Sequence, residues 1–138
     1  MTGPAPLELV VDGMQVTVPD DGSSLLEVLR DRLGHKSPKD GCSPQGQCGC
    51  CTVLVDGAPR VACVTPARRV AGRSITTVDG LDAITSAAWA DALCATGGSQ
   101  CGFCTPGIVV RLAALRAKTA PDAVGDHAPV HRALQAHL

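Results

Sequence analysis

Cysteine is the residue that most constrains what this chain can fold into, because eight of its 138 residues are cysteines. They are Cys42, Cys48, Cys50, Cys51, Cys63, Cys94, Cys101 and Cys104. The first residues lack the basic and apolar regions of a secretory signal, so we expect a cytoplasmic, reducing location. In such a compartment clustered cysteines are more often metal ligands than disulfide partners.

The charge and the aromatic content argue against a nucleic-acid partner. The formal net charge is −1, whereas a protein that neutralises phosphates carries a basic surplus. Trp89 and Phe103 are the only aromatic residues, so the chain has no platform on which bases could stack. No apolar run reaches the roughly 18 residues of a membrane span, and we expect none.

The N-terminal half has the pattern of two hairpins. Asp12-Gly13 and Asp56-Gly57 are typical of two-residue hairpin turns, and apolar residues alternate beside them. The strands predicted from this pattern cover residues 7–11, 14–18, 52–55, 60–64 and 74–78.

One helix is predicted between the hairpins. Ser24 and Glu27 have the spacing of a capping box, and Gly34 suits the left-handed residue at a helix end. Its apolar stripe consists of Leu25, Leu26, Leu29 and Leu33. A loop over residues 35–51 carries four of the cysteines, so we predict a small α+β domain over residues 1–79.

The remaining residues, 80–138, change to a helical period and predict a second, helical domain. An alanine-rich helix runs from Asp82 to Ala95, and we expect its Trp89 and Leu93 to pack in a core. A second helix begins with Thr105 as its cap and Pro106 in its first turn. The apolar face of this second helix is predicted to be Ile108, Leu112 and Leu115.

A third helix begins near Pro129, with Val130, Leu134 and Leu138 spaced by four. It ends with no cap and no glycine, which is unusual for a natural C-terminus. We therefore expect either that the native polypeptide continues past Leu138 or that this chain is a fragment.

The first cysteine group is close to a plant-type [2Fe–2S] arrangement. Cys42, Cys48 and Cys51 follow a C-x5-C-x2-C spacing, whereas the usual plant-type spacing is C-x4-C-x2-C. Cys63 is the distant fourth ligand. The C-x2-C spacing selects Cys51 and leaves Cys50 as a spare thiol. A zinc site of four thiolates uses similar spacings and remains the alternative.

Glycines in this loop suit a buried, negatively charged cluster. Such a cluster is costly to bury unless hydrogen-bond donors face it. Gly41, Gly46 and Gly49 let the backbone N–H groups approach the sulfur atoms closely. We therefore predict that these three glycines form the backbone around the cluster.

The second cysteine group, Cys101 and Cys104, begins a helix. A lone C-x2-C pair is either half a metal site or a redox dithiol. The positive end of a helix dipole favours a thiolate or an anionic cluster there. Cys94, on the preceding helix among Ala and Leu, is expected to be a core residue.

The run GCSPQGQCGCCTVLVDG, followed by Cys63 and then QCGFCTPG, resembles the iron–sulfur subunit or domain of the xanthine oxidase family of molybdenum hydroxylases. The resemblance covers residues 7–138. It implies a β-grasp ferredoxin-like domain followed by a small helical bundle. The first domain would hold the cluster distal to molybdenum, and the bundle would hold the proximal cluster.

The resemblance also assigns residues and partners. It implies Cys42, Cys48, Cys51 and Cys63 as ligands of the distal cluster. Two ligands of the proximal cluster would be Cys101 and Cys104, and Gln100 would lie beside the molybdopterin of a partner. The family passes electrons from molybdenum in a large molybdopterin-binding subunit or domain through both clusters, often to FAD in a third subunit.

The chain departs from the family at two places. Five residues separate Cys42 from Cys48 where the family has four, and we expect one of Ser43, Pro44 and Gln45 to bulge outward. The family completes its proximal cluster with a later C-x-C pair, which this sequence lacks. We therefore expect one [2Fe–2S] cluster on the chain as given, and two if those ligands are supplied.

The leading hypothesis is an electron-relay subunit of a molybdenum hydroxylase, an oxidoreductase whose substrate chemistry lies on another chain. The first alternative is a stand-alone ferredoxin, although the net charge of −1 does not supply the acidic surface that usually steers such carriers. The second is a zinc-stabilised interaction module without a redox role. A ferric–sulfide cluster is coloured and a zinc site is not, so the visible spectrum separates these hypotheses.

Overall fold

The computed structural model describes residues 3, 5–120 and 125–135. Within this part a five-stranded mixed sheet has the order β2-β1-β5-β3-β4. The strands are β1 (Pro6–Val11), β2 (Met14–Pro19), β3 (Thr52–Val55), β4 (Ala58–Val61) and β5 (Ser74–Thr76). Strands β1 and β5 are parallel, and the other neighbours are antiparallel. With one helix packed on it, this sheet has the predicted α+β, β-grasp arrangement.

Both Asp-Gly pairs form the predicted hairpin turns. Asp12 and Asp56 adopt left-handed φ angles of 50° and 49°, and each is followed by a glycine with φ of 82°. These angles are those of the turn type that Asp-Gly favours. Two predicted strands differ in their bounds: β4 begins earlier than predicted, at Ala58, and both β4 and β5 end earlier. The return strand β4 ends at Val61, where the turn Ala62–Val64 begins, and β5 ends at Thr76.

The helix between the hairpins begins as predicted and then continues as a π-helix. In α1 (Leu25–Glu27), Ser24 and Glu27 form both bonds of a capping box, and a π-helical segment (Val28–Arg32) follows. The N–H of His35 donates to the carbonyl of Leu29 over 2.8 Å, which closes the helix around Gly34. The helix buries its stripe against the sheet, where Leu25, Val28 and Leu29 are fully buried.

Three further helices follow the sheet: α2 (Ala83–Thr96), α3 (Thr105–Lys118) and α4 (Ala128–Leu134). Asp82 caps α2 through the N–H of Thr85, and Gly97 ends it with φ of 67°. The predicted cap of α3 is wrong, because Cys104 holds the cap position and Thr105 is the first helical residue. The predicted end of the last helix at Leu138 lies outside the described residues.

Helix α3 packs through a face that the sequence analysis did not select. Gly107, Val110 and Ala114 are buried, at a helical spacing of three and four, and α3 lies against β3. The predicted residues Leu112 and Leu115 are half-buried and face a cavity of about 300 Å³ between the helices. The side chains that α3 buries on this face include the small ones of Val110 and Ala114.

Helix α2 contributes less to the core than expected. It has no buried residue, Trp89 and Leu93 are only half-buried, and Cys94 is exposed. The predictions of Trp89 and Leu93 as core packing and of Cys94 as a core residue are therefore wrong. The longest helices of the described part have 14 residues, and none has the length and hydropathy of a membrane span.

Candidate iron–sulfur site

Three of the four cysteines of the first group accept hydrogen bonds from the backbone. The N–H of Gln45 donates to Cys42 Sγ over 3.1 Å, and that of Cys50 to Cys48 Sγ over 3.4 Å. The N–H of Cys63 donates to Cys51 Sγ over 3.3 Å. Sulfur is a weak acceptor when neutral, so donors aimed at it suit a thiolate. The loop therefore provides the donors that an anionic cluster requires.

The glycines of the loop act through the residues beside them. Gly46 and Gly49 have left-handed φ angles of 69° and 72°, which a side chain would make costly. The N–H groups that reach Cys42 belong to Gln45, Gln47 and Cys48, which flank these glycines. The glycines thus bend the chain so that their neighbours' N–H groups face the sulfur atoms.

Gly41 matters for a different reason, because the loop has no space for a side chain at this position. A Cβ atom on it would stand 2.8 Å from Cys48 Sγ, 3.3 Å from Cys50 Sγ and 3.2 Å from Phe103 Cε1. These distances are shorter than ordinary van der Waals contact. The first cysteine loop therefore leaves no room for a side chain at residue 41.

The extra residue of the loop lies at its surface. Ser43, Pro44 and Gln45 are all exposed, and Ser43 has a left-handed φ of 65°. The N–H of Ser43 donates to the Asp40 carboxylate over 2.9 Å, which stabilises this turn. The lengthened loop thus bends away from the core, while the sulfur of Cys42 still accepts its backbone donors.

The thiols of this loop differ in acidity. The N–H groups of Gln47, Cys48 and Gln45 lower the pKa of Cys42 from 9.0 to about 6. Burial raises the pKa of Cys51 to about 12 despite the N–H of Cys63, and burial raises that of Cys50 to about 12 as well. A thiol that binds a metal must lose its proton, and this loss costs less free energy at Cys42 than at Cys51.

Adjacent cysteines 50 and 51 face different surroundings. Cys51 is buried at the start of β3 beside Cys63. The thiol of Cys50 points to the carbonyl of Cys48 at 3.8 Å. The hydrogen bond to Cys48 and the nearness of Cys104 and Cys42 add to burial in raising the pKa of Cys50. Cys50 thus lies between the two cysteine motifs.

The second motif is more exposed than the first. Gln100, Cys101 and Cys104 are exposed, and Gly102 between the cysteines has a left-handed φ of 81°. The motif meets the first loop through α3, because a Cβ on Gly107 would stand 2.3 Å from the carbonyl oxygen of Gly49. The sequence analysis missed Gly107 and Phe103 as contact residues, although both lie within the quoted motif.

The cysteines of the first group fall into two hydrogen-bonded pairs. A [2Fe–2S] cluster takes two protein ligands on each of its two irons. Cys51 with Cys63 and Cys42 with Cys48 are two such pairs, joined by hydrogen bonds within each pair. All eight cysteines are free of disulfides.

Comparisons with known proteins identify two [2Fe-2S] domains in this chain. Residues 9–69 match the 2Fe-2S iron-sulfur cluster binding domain, and residues 77–138 match the [2Fe-2S] binding domain. The chain is 42% identical over 109 residues to an aldehyde oxidoreductase of Megalodesulfovibrio gigas, covering 74% of this chain and 12% of that protein. It therefore spans only about an eighth of that relative's length.

Other relatives are of comparable length to this chain. Isoquinoline 1-oxidoreductase subunit alpha of Brevundimonas diminuta is 37% identical over 115 residues, which is 81% of this chain and 74% of that subunit. A crystal structure of quinoline 2-oxidoreductase from Pseudomonas putida 86 superposes with a TM-score of 0.83 and 28% identity, covering 99% of this chain and 83% of that one. The chain belongs to the [2Fe–2S] iron–sulfur subunits and domains of the xanthine oxidase family of molybdenum hydroxylases.

Proposed function

We propose that this chain is the electron-relay unit of a molybdenum hydroxylase and itself makes and breaks no substrate bonds. The observation that carries the proposal is the set of backbone N–H groups aimed at Cys42, Cys48 and Cys51. These donors compensate negative charge on sulfur, which one-electron reduction of an iron–sulfur cluster increases. When bound, such a cluster stores and releases single electrons.

In this proposal the first cluster is held by Cys42, Cys48, Cys51 and Cys63. The chain's own residues do three things for it. The core of the β-grasp domain buries Cys51 and Cys63 away from water, the loop supplies N–H···S bonds, and Gly41 leaves room for the sulfur of Cys48. Hydrogen bonds to sulfur and exclusion of solvent both tune the potential of such a centre.

We further propose that Cys101 and Cys104 are two ligands of a second cluster and that Gln100 lies toward the molybdopterin of a partner. Their exposure supports this, because residues that meet a partner are exposed on the isolated chain. The implied partners are a large molybdopterin-binding subunit or domain and an FAD-binding subunit. A cytoplasmic location, and the division into domains 1–79 and 80–138, belong to the same proposal.

Iron and sulfide analysis of the purified chain tests the proposal. We expect about two irons and two sulfides per chain, visible absorption, and an EPR signal after reduction. About four irons would mean that further ligands complete the second cluster, since Cys101 and Cys104 supply only two. A folded, colourless protein that holds zinc would overturn the redox proposal and favour the interaction module.

A further inference from the structure

The two cysteine motifs meet in the small space in front of Gly41. The three atoms nearest to a Cβ at that position are Cys48 Sγ, Phe103 Cε1 and Cys50 Sγ. Phe103 lies between Cys101 and Cys104 in the sequence, so its ring belongs to the second motif. The second motif therefore places an apolar ring against this space, beside a sulfur of the proposed first cluster.

A cation lies on the same ring. Lys39 Nζ is 6.0 Å from the centroid of the Phe103 ring, within the range of a cation–π interaction. The backbone of Lys39 is fixed as well, because its N–H donates to the carbonyl of Cys50 over 3.0 Å. Its Nζ also donates to the carbonyl of Ser37 over 3.1 Å. Lys39 is half-buried, so water screens its charge less than that of a fully exposed lysine.

The charge of Lys39 has a definite electrostatic consequence. Reduction adds one negative charge to the cluster, and a cation held nearby stabilises the reduced form more than the oxidised form. The nearest acidic neighbour in sequence, Asp40, is exposed and accepts the N–H of Ser43. Water therefore screens the charge of Asp40 more strongly than that of Lys39. Asp40 offsets only part of the stabilisation that Lys39 gives to the reduced cluster.

We propose that Lys39 and Phe103 act together as positioning residues and raise the reduction potential of the first cluster. Both residues lie on the side of that cluster that faces the second motif. The Phe103 ring lies beside the Lys39 cation and lines the same space as the Cys48 sulfur. A higher potential favours the arrival of an electron at the first cluster. This inference rests on the proposed cluster at Cys42, Cys48, Cys51 and Cys63.

An EPR-monitored redox titration tests the inference. The first cluster is identified by the signal that Cys51→Ser abolishes. At a fixed potential, Lys39→Met should lower the ratio of reduced to oxidised cluster by about threefold to tenfold, and Lys39→Arg should restore most of it. Lys118→Met is the control, since it removes the same charge from the far end of α3, about 20 Å along the helix from Cys104.

A double-mutant cycle tests the part played by the ring. In a Phe103→Ala background the Lys39→Met substitution should change the ratio by clearly less than in the wild-type background, because the cation is no longer held. Equal changes in both backgrounds would overturn the role of Phe103. Should Lys39→Met not fold, Lys39→Gln provides the same neutral substitution.

The outcomes separate this inference from the proposed function. A wild-type chain without iron would overturn both. A wild-type chain that holds its cluster, with the same reduction ratio in Lys39→Met and Lys118→Met, would overturn the tuning role alone and leave the electron-relay function intact.

Discussion

The backbone N–H of Cys63 donates to Cys51 Sγ over 3.3 Å and so joins the end of the second hairpin to the cysteine loop. The neighbouring Cys50 has no such link to Cys63, and its thiol points to the carbonyl of Cys48. Two adjacent cysteines with the same chemistry are thus placed toward different parts of the protein.

Replacing these two cysteines one at a time should give opposite results. We expect Cys51→Ser to lose the first cluster, because one of its four ligands is removed. Cys50→Ser should keep the cluster, because serine preserves the size of a side chain that is not a ligand. Iron content and visible absorption measure both variants, and equal loss of iron from the two would show that the ligand register is wrong.

The acidity of Cys42 predicts a pH dependence in the metal-free protein. Its pKa in the folded chain is about 6, below the ordinary 9.0, because the N–H groups of Gln47, Cys48 and Gln45 stabilise the thiolate. A lowered pKa adds to the free energy of unfolding above about pH 9, and this contribution is lost as the pH falls to about 6.

Alkylation by iodoacetamide, followed by peptide mass spectrometry, measures this acidity site by site. Cys42 should react with a rate that is half-maximal near pH 6, whereas Cys51 should remain unreactive at neutral pH because burial keeps it protonated. The matched variant Gln45→Pro removes one N–H donor and should move the midpoint for Cys42 upward. A midpoint near the ordinary value in the wild type would contradict the role of the loop N–H groups.

Gly107→Ala should destabilise the protein, although alanine is the better helix former. In an exposed helix the change would stabilise by about 1 kcal/mol. Here the added Cβ would stand 2.3 Å from the Gly49 carbonyl oxygen and 3.1 Å from Cys50 Cα. Such overpacking typically costs about 1–3 kcal/mol, so α3 must move away from the cysteine loop.

Chemical denaturation measures that cost, with Ala117→Gly as the matched control. Ala117 is exposed in the last turn of the same helix, so its replacement reports helix propensity alone and should lower the free energy of unfolding by at most about 1 kcal/mol. A stabilised Gly107→Ala variant would show that α3 does not pack tightly on the loop.

Asp12 should prove important for stability even though it lies in a hairpin turn. Its carboxylate accepts the N–H and the hydroxyl of the buried Thr77, each over 2.7 Å. Asp12→Ala leaves both donors without their partner and should lower the free energy of unfolding by roughly 2–4 kcal/mol. Asp12→Asn keeps an acceptor oxygen and the tolerance for a left-handed φ, so it should cost clearly less.

Thr77→Val tests the same contact from the other side. It removes only the hydroxyl and should cost about 1 kcal/mol. Thermal or denaturant unfolding of the three variants gives the comparison. If Asp12→Ala and Asp12→Asn were equally stable, the contribution of Asp12 would come from the turn alone.

Much of the local structure could be predicted because it depends on neighbouring residues. The capping box of Ser24 and Glu27 involves residues three apart, and the Asp-Gly turns involve residues that touch in sequence. The cysteine spacing likewise indicated the iron–sulfur family, which the comparisons confirm. The predicted ligands Cys42, Cys48, Cys51 and Cys63 remain a prediction that the variants above can test.

The errors concern residues whose surroundings are set by distant parts of the chain. The spacing of Leu112 and Leu115 was correct for an apolar helix face, but Val110 and Ala114 face the sheet. Cys94 lies among alanines and a leucine, yet it is exposed because α2 buries none of its residues. An apolar pattern indicates that a helix face is covered, but it does not indicate which neighbouring element covers it.

The sequence by itself determined the Asp-Gly turns, the capped start of α1 and the cysteine spacings, because each depends on backbone preferences and contacts within a few residues. Only the tertiary structure decided that Cys50 and Cys51 have different neighbours and that Phe103 lies close to Gly41. It also decided that Asp12 bonds Thr77, 65 residues away. Such contacts arise when the sheet and α3 pack together, and their free energy depends on distances that no local pattern specifies.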